Sequence, residues 1–295
     1  MTIPTVDADP LYSGNELHAL IGRIEQEDRL DPPARALQDA VHQLVRNGWR
    51  KDLLSGTWLG HPLHPMLTDL PIGFWTSAFV LDFLGGRRGR DAATTLVGLG
   101  TLSAVPAIAA GLSDWSDTTG APRRVGLVHA AANATAVACY TASWWSRRRG
   151  RHWRGVSYGL LGATAATVGG YLGGHLVQRL GVGVDNTAFE TRADEWTRAC
   201  AVVDVTNAPT CVDVAGAPVV VFRDHGELFA LDGRCPHRGA PMAEGTIDGD
   251  VIVCPWHGSE FRIDDGSIER GPAAAPLASY ECREFEGDLE VRTRS

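Results

Sequence analysis

The sequence predicts a multidomain chain: a four-helix transmembrane bundle followed by a small all-β domain. Three observations carry this. Four long apolar segments succeed one another between residues 58 and 180. From about residue 197 the pattern changes to short β-rich runs separated by Asp-Gly and Glu-Gly turns. The charge divides at the same place: of the net −8, residues 187–295 carry 10 Arg and Lys against 20 Asp and Glu, or −10, and the rest sums to +2. The expected units are 1–57, a polar tail and amphipathic helix; 58–180, the membrane domain; 181–196, a linker; and 197–295, the β domain. An acidic C-terminal surface argues against nucleic acid as a partner.

Residues 1–30 are polar and acidic, without the apolar core of a signal peptide, and read as a loosely ordered tail. Asp31-Pro32-Pro33 reads as a helix start, since proline is tolerated in a first turn. Leu37, Val41, Leu44, Val45, Trp49 and Leu53 then fall on one helical stripe, which packs on the next domain or lies along a membrane surface. The spans follow at 65–84, 92–113, 125–146 and 156–178, and the last three contain no Asp, Glu, Lys or Arg. A bilayer core of about 30 Å needs roughly 20 such residues. Asp69 and Asp82 lie near the ends of the first span, where a charge costs less. Gly169, Gly170, Gly173 and Gly174 in the fourth let a neighbouring helix approach closely. Six cysteines in 295 residues do not make a disulfide scaffold; Cys200, Cys211 and Cys282 read as small core residues.

The chemistry concentrates in two strings, Cys235-Pro236-His237-Arg238-Gly239 and Cys254-Pro255-Trp256-His257-Gly258-Ser259. The spacing is C-x-H, sixteen residues, then C-x-x-H. Two thiolates and two imidazoles could hold tetrahedral zinc, but structural zinc sites usually open with C-x-x-C or pair histidines at H-x₃₋₅-H. The mixed loops resemble the Rieske family, and the resemblance covers roughly residues 197–295. It implies a [2Fe–2S] cluster with Cys235 and Cys254 on one iron, and His237 and His257 on the other. It also implies that the histidine-bound iron lies nearer the surface, making those imidazoles the electron doorway. Where cytochrome bc-type relatives join the two loops by a disulfide, this chain has Ala240 and Trp256. Where they place a serine and a tyrosine hydroxyl near the sulfurs, it keeps Ser259 but has Phe261. Fewer hydrogen bonds to sulfur imply a potential in the lower half of the Rieske range. Gly271-Pro272 and Pro276-Leu277 resemble the family's closing segment. Ring-hydroxylating oxygenases share the Cys-Pro-His-Arg-Gly string, but they need a mononuclear iron on two His and a carboxylate. Only 38 residues follow His257, without a histidine, so a Rieske oxygenase is not expected.

His61-Pro62-Leu63-His64-Pro65, with Leu70-Pro71-Ile72-Gly73 and Gly111-Leu112-Ser113-Asp114-Trp115, resembles an uncharacterised family of bacterial four-helix membrane proteins over roughly residues 58–180. A four-span topology gathers His61, His64, Asp69, Asp114, Asp117, His129 and His175 on the face that also receives the Rieske domain. His129 and Asn133 share a helix side. The sharp expectation is haem b with His129 and His175 as axial ligands; the plain one is that these groups cap helices and meet headgroups.

The sequence therefore reads as a membrane-tethered Rieske electron-transfer protein, a carrier or oxidoreductase component rather than a stand-alone enzyme. Two alternatives are a redox subunit with haem or quinone in the bundle, and a non-enzymatic redox sensor. The expected partners are the bilayer and a protein or quinone redox partner. The four spans predict a multi-pass cell-membrane protein. Arg87, Arg88 and Arg90 in one loop and Arg147, Arg148, Arg149, Arg151 and Arg154 in another, against Arg123 and Arg124 between them, favour an exoplasmic Rieske domain, whereas the unstapled cluster and the N-terminus without a signal peptide favour a cytoplasmic one.

Overall fold

The computed structural model describes residues 16–46 and 48–294. Among these residues, seven α-helices precede ten strands. The expected tail is partly outside the described residues, but its second half is not loose. Glu16–Gln26 forms α1, and Ile21 is buried against Val125, Leu172 and Leu176. Ile21 and Ile24, three residues apart, give this acidic segment an apolar edge.

Helix α2, Asp31–Val45, starts at the Asp-Pro-Pro signal. Its buried face is Asp31, Ala34, Gln38 and Val41, whereas Leu44 is 72% exposed. The expected stripe does not continue. Arg46 takes φ 45° and a new helix, α3, runs Trp49–Ser55 with Trp49 70% exposed. Helix α2 is held by polar contacts. Gln38 donates to the carbonyls of Trp115 and Thr118 at 3.1 and 2.9 Å, and Asp31 pairs with Arg123 and Arg124 at 3.1 and 3.0 Å.

Four long helices follow: α4 Leu63–Leu84, α5 Arg90–Ser116, α6 Gly120–Arg148 and α7 His152–Gln178. Three of them, α4 to α6, are long and apolar enough to cross a membrane. Helix α7 is as long as α5, but its glycines and polar residues dilute its hydropathy. Helix α4 packs on α5, and α6 on α7; the two hairpins meet mainly through α5 and α6, and α4 and α7 touch only sparsely. At the far end Trp75 stacks on Tyr140 with ring centroids 4.0 Å apart. Arg147, expected as a loop charge, lies in the last turn of α6. It makes a bidentate pair with Asp82 at 2.6 and 2.5 Å, both side chains almost wholly buried. Burial is tolerated because each charge neutralises the other.

The β domain holds two antiparallel sheets. The larger has strand order β1-β10-β9-β4-β3-β2, with β1 Thr197–Ala201, β2 Thr210–Val214, β3 Ala217–Asp224, β4 Glu227–Asp232, β9 Ser279–Phe285 and β10 Asp288–Thr293. The smaller runs β5-β6-β7-β8, formed by Thr246–Asp248, Val251–Val253, Glu260–Arg262 and Ile268–Arg270. Strand β3 shows why both faces are covered. Val219 and Val221 enter one core with Tyr280 and Val291, while Val220 and Phe222 enter the other with Leu231, Met242 and Phe261. Alternate side chains on opposite faces thus serve two cores.

Candidate metal centre

Two loops carry the donor residues, one after β4 and one between β6 and β7. They share one backbone scheme despite their different spacing. The Cys235 N–H donates to the Ala240 carbonyl at 2.9 Å and Gly239 N–H to the Cys235 carbonyl at 2.8 Å. In the second loop, Cys254 N–H donates to Ser259 O at 2.8 Å and Gly258 N–H to Cys254 O at 3.1 Å. Each turn closes on a glycine in the left-handed region, Gly239 at φ 72° and Gly258 at φ 71°, where a side chain would be strained. Histidine enters two residues after cysteine in one loop and three after it in the other.

The four candidate donors sort by type. Cys235 and Cys254 are both buried and share a hydrogen bond. That bond, with backbone N–H groups of Trp256 and His257, lowers the Cys254 thiol to about 7 against the burial that opposes it, while Cys235 is pushed up. Backbone N–H groups of His237 and Arg238 point at Cys235 in turn. The rings of His237 and His257 lie edge to face, 5.0 Å between centroids. Burial drives the His237 imidazole down to about 3, so it is neutral, the form a metal needs. Its Nδ1 is buried and has no hydrogen-bond partner among the described residues. Among the same residues no three His, Cys, Asp or Glu side chains gather as ligands of a single ion. A sulfur pair beside a nitrogen pair suits a binuclear centre rather than one tetrahedral metal.

Around the donors, Ser259 is fully buried and its Oγ accepts the Ala273 N–H at 3.0 Å, leaving its own proton for an acceptor. Phe261 is fully buried in the core that contains both cysteines. Trp256 stands outside it, 54% exposed, edge to face with His257 at 6.3 Å.

The ferredoxin CarAc of Metapseudomonas resinovorans is 35% identical over 100 residues, which are 32% of this chain and 92% of that protein. Residues 195–281 match the Rieske [2Fe-2S] domain family. The chain belongs to the Rieske [2Fe–2S] family. The Rieske domain binds a [2Fe–2S] cluster. The anthranilate 1,2-dioxygenase ferredoxin subunit of Burkholderia cepacia is 32% identical over 103 residues, 35% of this chain and 95% of that one. A solved complex of reduced oxygenase and oxidized ferredoxin in carbazole 1,9a-dioxygenase aligns at 33% identity over 35% of this chain and 98% of the matched chain, with a TM-score of 0.32. Residues 60–186 match a second family, described as a predicted membrane protein (DUF2231). The chain is thus a fusion, and it is membrane-associated.

The first Rieske loop lies against the helical domain, while Pro255 and Trp256 of the second are exposed. His237 Nε2 lies 3.8 Å from Asp117 Oδ2, just beyond the end of α5. Asp117 is buried, paired with Lys51 Nζ at 2.8 Å and with His42 Nε2 at 3.4 Å. Burial alone would raise its pKa; His42 and Lys51 more than reverse this and hold the carboxyl well below the usual range. Lys51, itself 3% exposed, also donates to the Ser113 carbonyl at 2.6 Å. A cavity of about 200 Å³ beside this contact is lined by His61, Asp114, His237 and Arg238.

The expected linker is part of the site. Asn186 Nδ2 donates to the His237 carbonyl at 2.8 Å and its N–H to Pro236 O at 2.9 Å. Arg192 pairs at 2.7 Å with Asp232, which is fully buried and accepts from the Tyr280 hydroxyl at 2.9 Å. Helix α3 makes the other seam: Gly271 N–H donates to Asp52 Oδ1 at 2.9 Å, and a Cβ at Gly271 would collide with the Thr57 side chain. Lys51, Asn186 and Asp52 had no signal in the sequence, because their partners are remote along the chain.

The two histidines expected as haem ligands are not brought together. His175 Nε2 is paired with Glu25 Oε1 at 2.7 Å, and α1 covers it. The ring that faces His129 belongs to His64, 6.3 Å away between centroids.

Proposed function

We propose that this chain is a membrane-tethered one-electron carrier whose cluster is held by Cys235 and Cys254 on one iron and by His237 and His257 on the other. The observation that carries this reading is the sorted arrangement of two buried cysteines and two adjacent imidazoles on loops of identical backbone scheme. When bound, the cluster supplies reversible one-electron chemistry at moderate potential, because two neutral imidazoles replace two thiolates. The chain's own residues do the rest. Backbone N–H groups of both loops and the Ser259 hydroxyl stabilise negative charge on sulfur. The Asn186 staple and the buried Asp232–Arg192 pair fix the first loop. His237 turns its outer nitrogen to Asp117, so an electron enters or leaves on the side of the helical domain.

All four long helices form the anchor in this reading. Helix α7 counts as the fourth span because it pairs along its length with α6 and is as long as its neighbours. Trp49 and Trp58 at one end of the bundle, and Trp145 and Trp153 at the other, are more than half exposed, like the aromatic girdles at membrane interfaces. The relatives named as ferredoxins support a protein redox partner; a quinone is the alternative that the bilayer offers. No catalytic acid, base or nucleophile enters.

The test is spectroscopic. His237→Ala or His257→Ala in the full chain should abolish the Rieske-type paramagnetic signal of detergent-purified protein while leaving membrane insertion intact. A full signal surviving either change would overturn the ligand assignment.

A further inference from the structure

His64 and His129 face each other across the diagonal of the bundle, one from the start of α4 and one from α6. Each ring is fixed in the same way. His64 Nδ1 lies 2.8 Å from the Ala107 carbonyl of α5, and His129 Nδ1 lies 2.8 Å from the Gly169 carbonyl of α7. A carbonyl only accepts, so both protons sit on Nδ1 and both Nε2 atoms keep an in-plane lone pair. Backbone anchoring of the far nitrogen is the arrangement that orients metal-binding histidines. His64 Nε2 has no hydrogen bond among the described residues. Asn133 Nδ2 is nearly equidistant from the two nitrogens of His129, at 3.4 and 3.2 Å, and so lies over the ring face rather than along the lone pair.

The glycines now have a reason. A Cβ at Gly111 would come within 2.7 Å of the His64 ring, one at Gly173 within 3.1 Å of His129, and one at Gly169 within 2.6 Å of Asn133. Each is the absence that lets a polar side chain seat against a helix. The α4–α7 seam is sparse, so the bundle is less tightly closed along that side.

We propose that His64 and His129 are the two axial ligands of a haem b carried inside the helical domain. Two features choose this class of ligand. The first is the separation. With a metal–nitrogen bond of about 2.0 Å and a ring centre about 1.1 Å behind the nitrogen, two trans imidazoles on one metal stand about 6.2 Å apart, and the observed separation is 6.3 Å. The second is the donor count. No third His, Cys, Asp or Glu joins the pair among the described residues, so the other coordination positions must come from the group itself, as a porphyrin's four nitrogens do. Low-spin iron between two histidines exchanges one electron and no ligand. Ala107 precedes Asp117, the residue that caps the end of α5, by ten residues, about 15 Å at about 1.5 Å per residue. The haem would therefore lie beneath the doorway at His237. This deepens the electron-carrier reading by giving the cluster a redox partner within the chain, but its test does not depend on that reading.

The full chain is expressed with a haem precursor, purified in detergent, and examined by optical difference and electron paramagnetic resonance spectroscopy. The expected result is one bis-histidine haem per chain beside the cluster. Haem should vanish in His64→Ala and His129→Ala, and persist in His175→Ala and His237→Ala; the last loses the cluster signal instead. His64→Met should retain haem with a shifted spectrum and a raised potential, which a merely structural role for His64 would not produce. The persisting Rieske signal checks the β domain of each bundle variant, and a circular-dichroism melt in detergent checks that its helices are folded as in the wild type. Cluster-bearing wild type that takes up no haem, or haem that survives in both His64→Ala and His129→Ala, would overturn the proposal and leave the electron-carrier reading standing.

Discussion

Asp117 lies 3.8 Å from the outer nitrogen of His237, and it belongs to the other domain. A fixed negative charge beside a redox centre favours the state with fewer electrons, and burial weakens the screening that would hide it. Asp117→Asn should therefore raise the midpoint potential of the cluster. The change also leaves Lys51 buried without its counter-charge, which acts in the same direction. A rise on the order of tens of millivolts is expected; protein-film voltammetry showing an unchanged midpoint with an intact cluster signal would refute it. A second residue acts from inside. Phe261 fills the core where bc-type relatives place a tyrosine, so Phe261→Tyr brings one hydroxyl toward the sulfurs. It should likewise raise the midpoint, on the order of tens of millivolts for one added hydrogen bond. A lowered or unmoved potential would show that the hydroxyl does not reach. The two Cys-His strings were legible because their spacing is local. Asp117 was legible as a member of the right face, whereas Lys51 depends on how α3 folds back onto α5, and no short-range pattern encodes that.

Elements at the N-terminal end form a clasp. The start of α2 is joined to α6 by Asp31, which accepts from Arg123 and Arg124, and Arg124 also pairs with Asp28. The Arg124 hydrogen bond holds the Asp31 carboxyl at about 2, well below its ordinary 3.8. The sign follows from linkage: a depressed folded pKa gives stability that is present above the unfolded value and lost as pH falls through the folded one. The clasp should thus be complete above about pH 4 and fail toward about pH 2. Asp31→Asn should remove that pH-dependent part. Thermal unfolding in detergent would show the variant less stable at neutral pH and converging on the wild type in acid; parallel curves over the whole range would dismiss the clasp. The Asp-Pro-Pro start of α2 was readable, being a local steric signal. Its buried face was not, because Asp31 and Gln38 are buried by polar partners on α5 and α6, and hydrophobic periodicity pointed to Leu44 and Trp49 instead. Likewise the length of each span was visible, but the rotation that pairs His129 with His64 rather than His175 is decided by helix packing, with Glu25 of α1 drawing His175 away.

For the whole molecule, the docking decides which side of a membrane receives the cluster. The Rieske domain rests on the turn between α5 and α6, where Asp117 meets His237. That turn and the two on the opposite face differ in arginine. Arg123 and Arg124 are both spent on Asp31. On the opposite face Arg147 is spent on Asp82, but Arg87, Arg88, Arg90, Arg148, Arg149, Arg151 and Arg154 remain in the short loops and at the helix ends beside them. Arg148 and Arg149 lie over Trp144 and Trp145, a basic aromatic rim suited to lipid headgroups. Short loops rich in arginine stay in the cytoplasm. The Rieske domain is therefore expected on the exoplasmic side, and the chain would have to export a domain whose cluster is normally inserted in the cytoplasm. Ser146-Arg147-Arg148, which loosely resembles a twin-arginine signal, offers no ready route, because Arg147 is committed to Asp82 inside the bundle. The charge rule and the assembly of the cluster therefore pull in opposite directions, and a reporter separates them. Fused after Ser295, a protein that fluoresces only in the cytoplasm should leave cells dark, while an alkaline phosphatase fusion at the same site should be active. Bright cells with intact fusion protein would place the cluster in the cytoplasm, and would show that the seven arginines bind lipid on the exoplasmic face instead of fixing the topology.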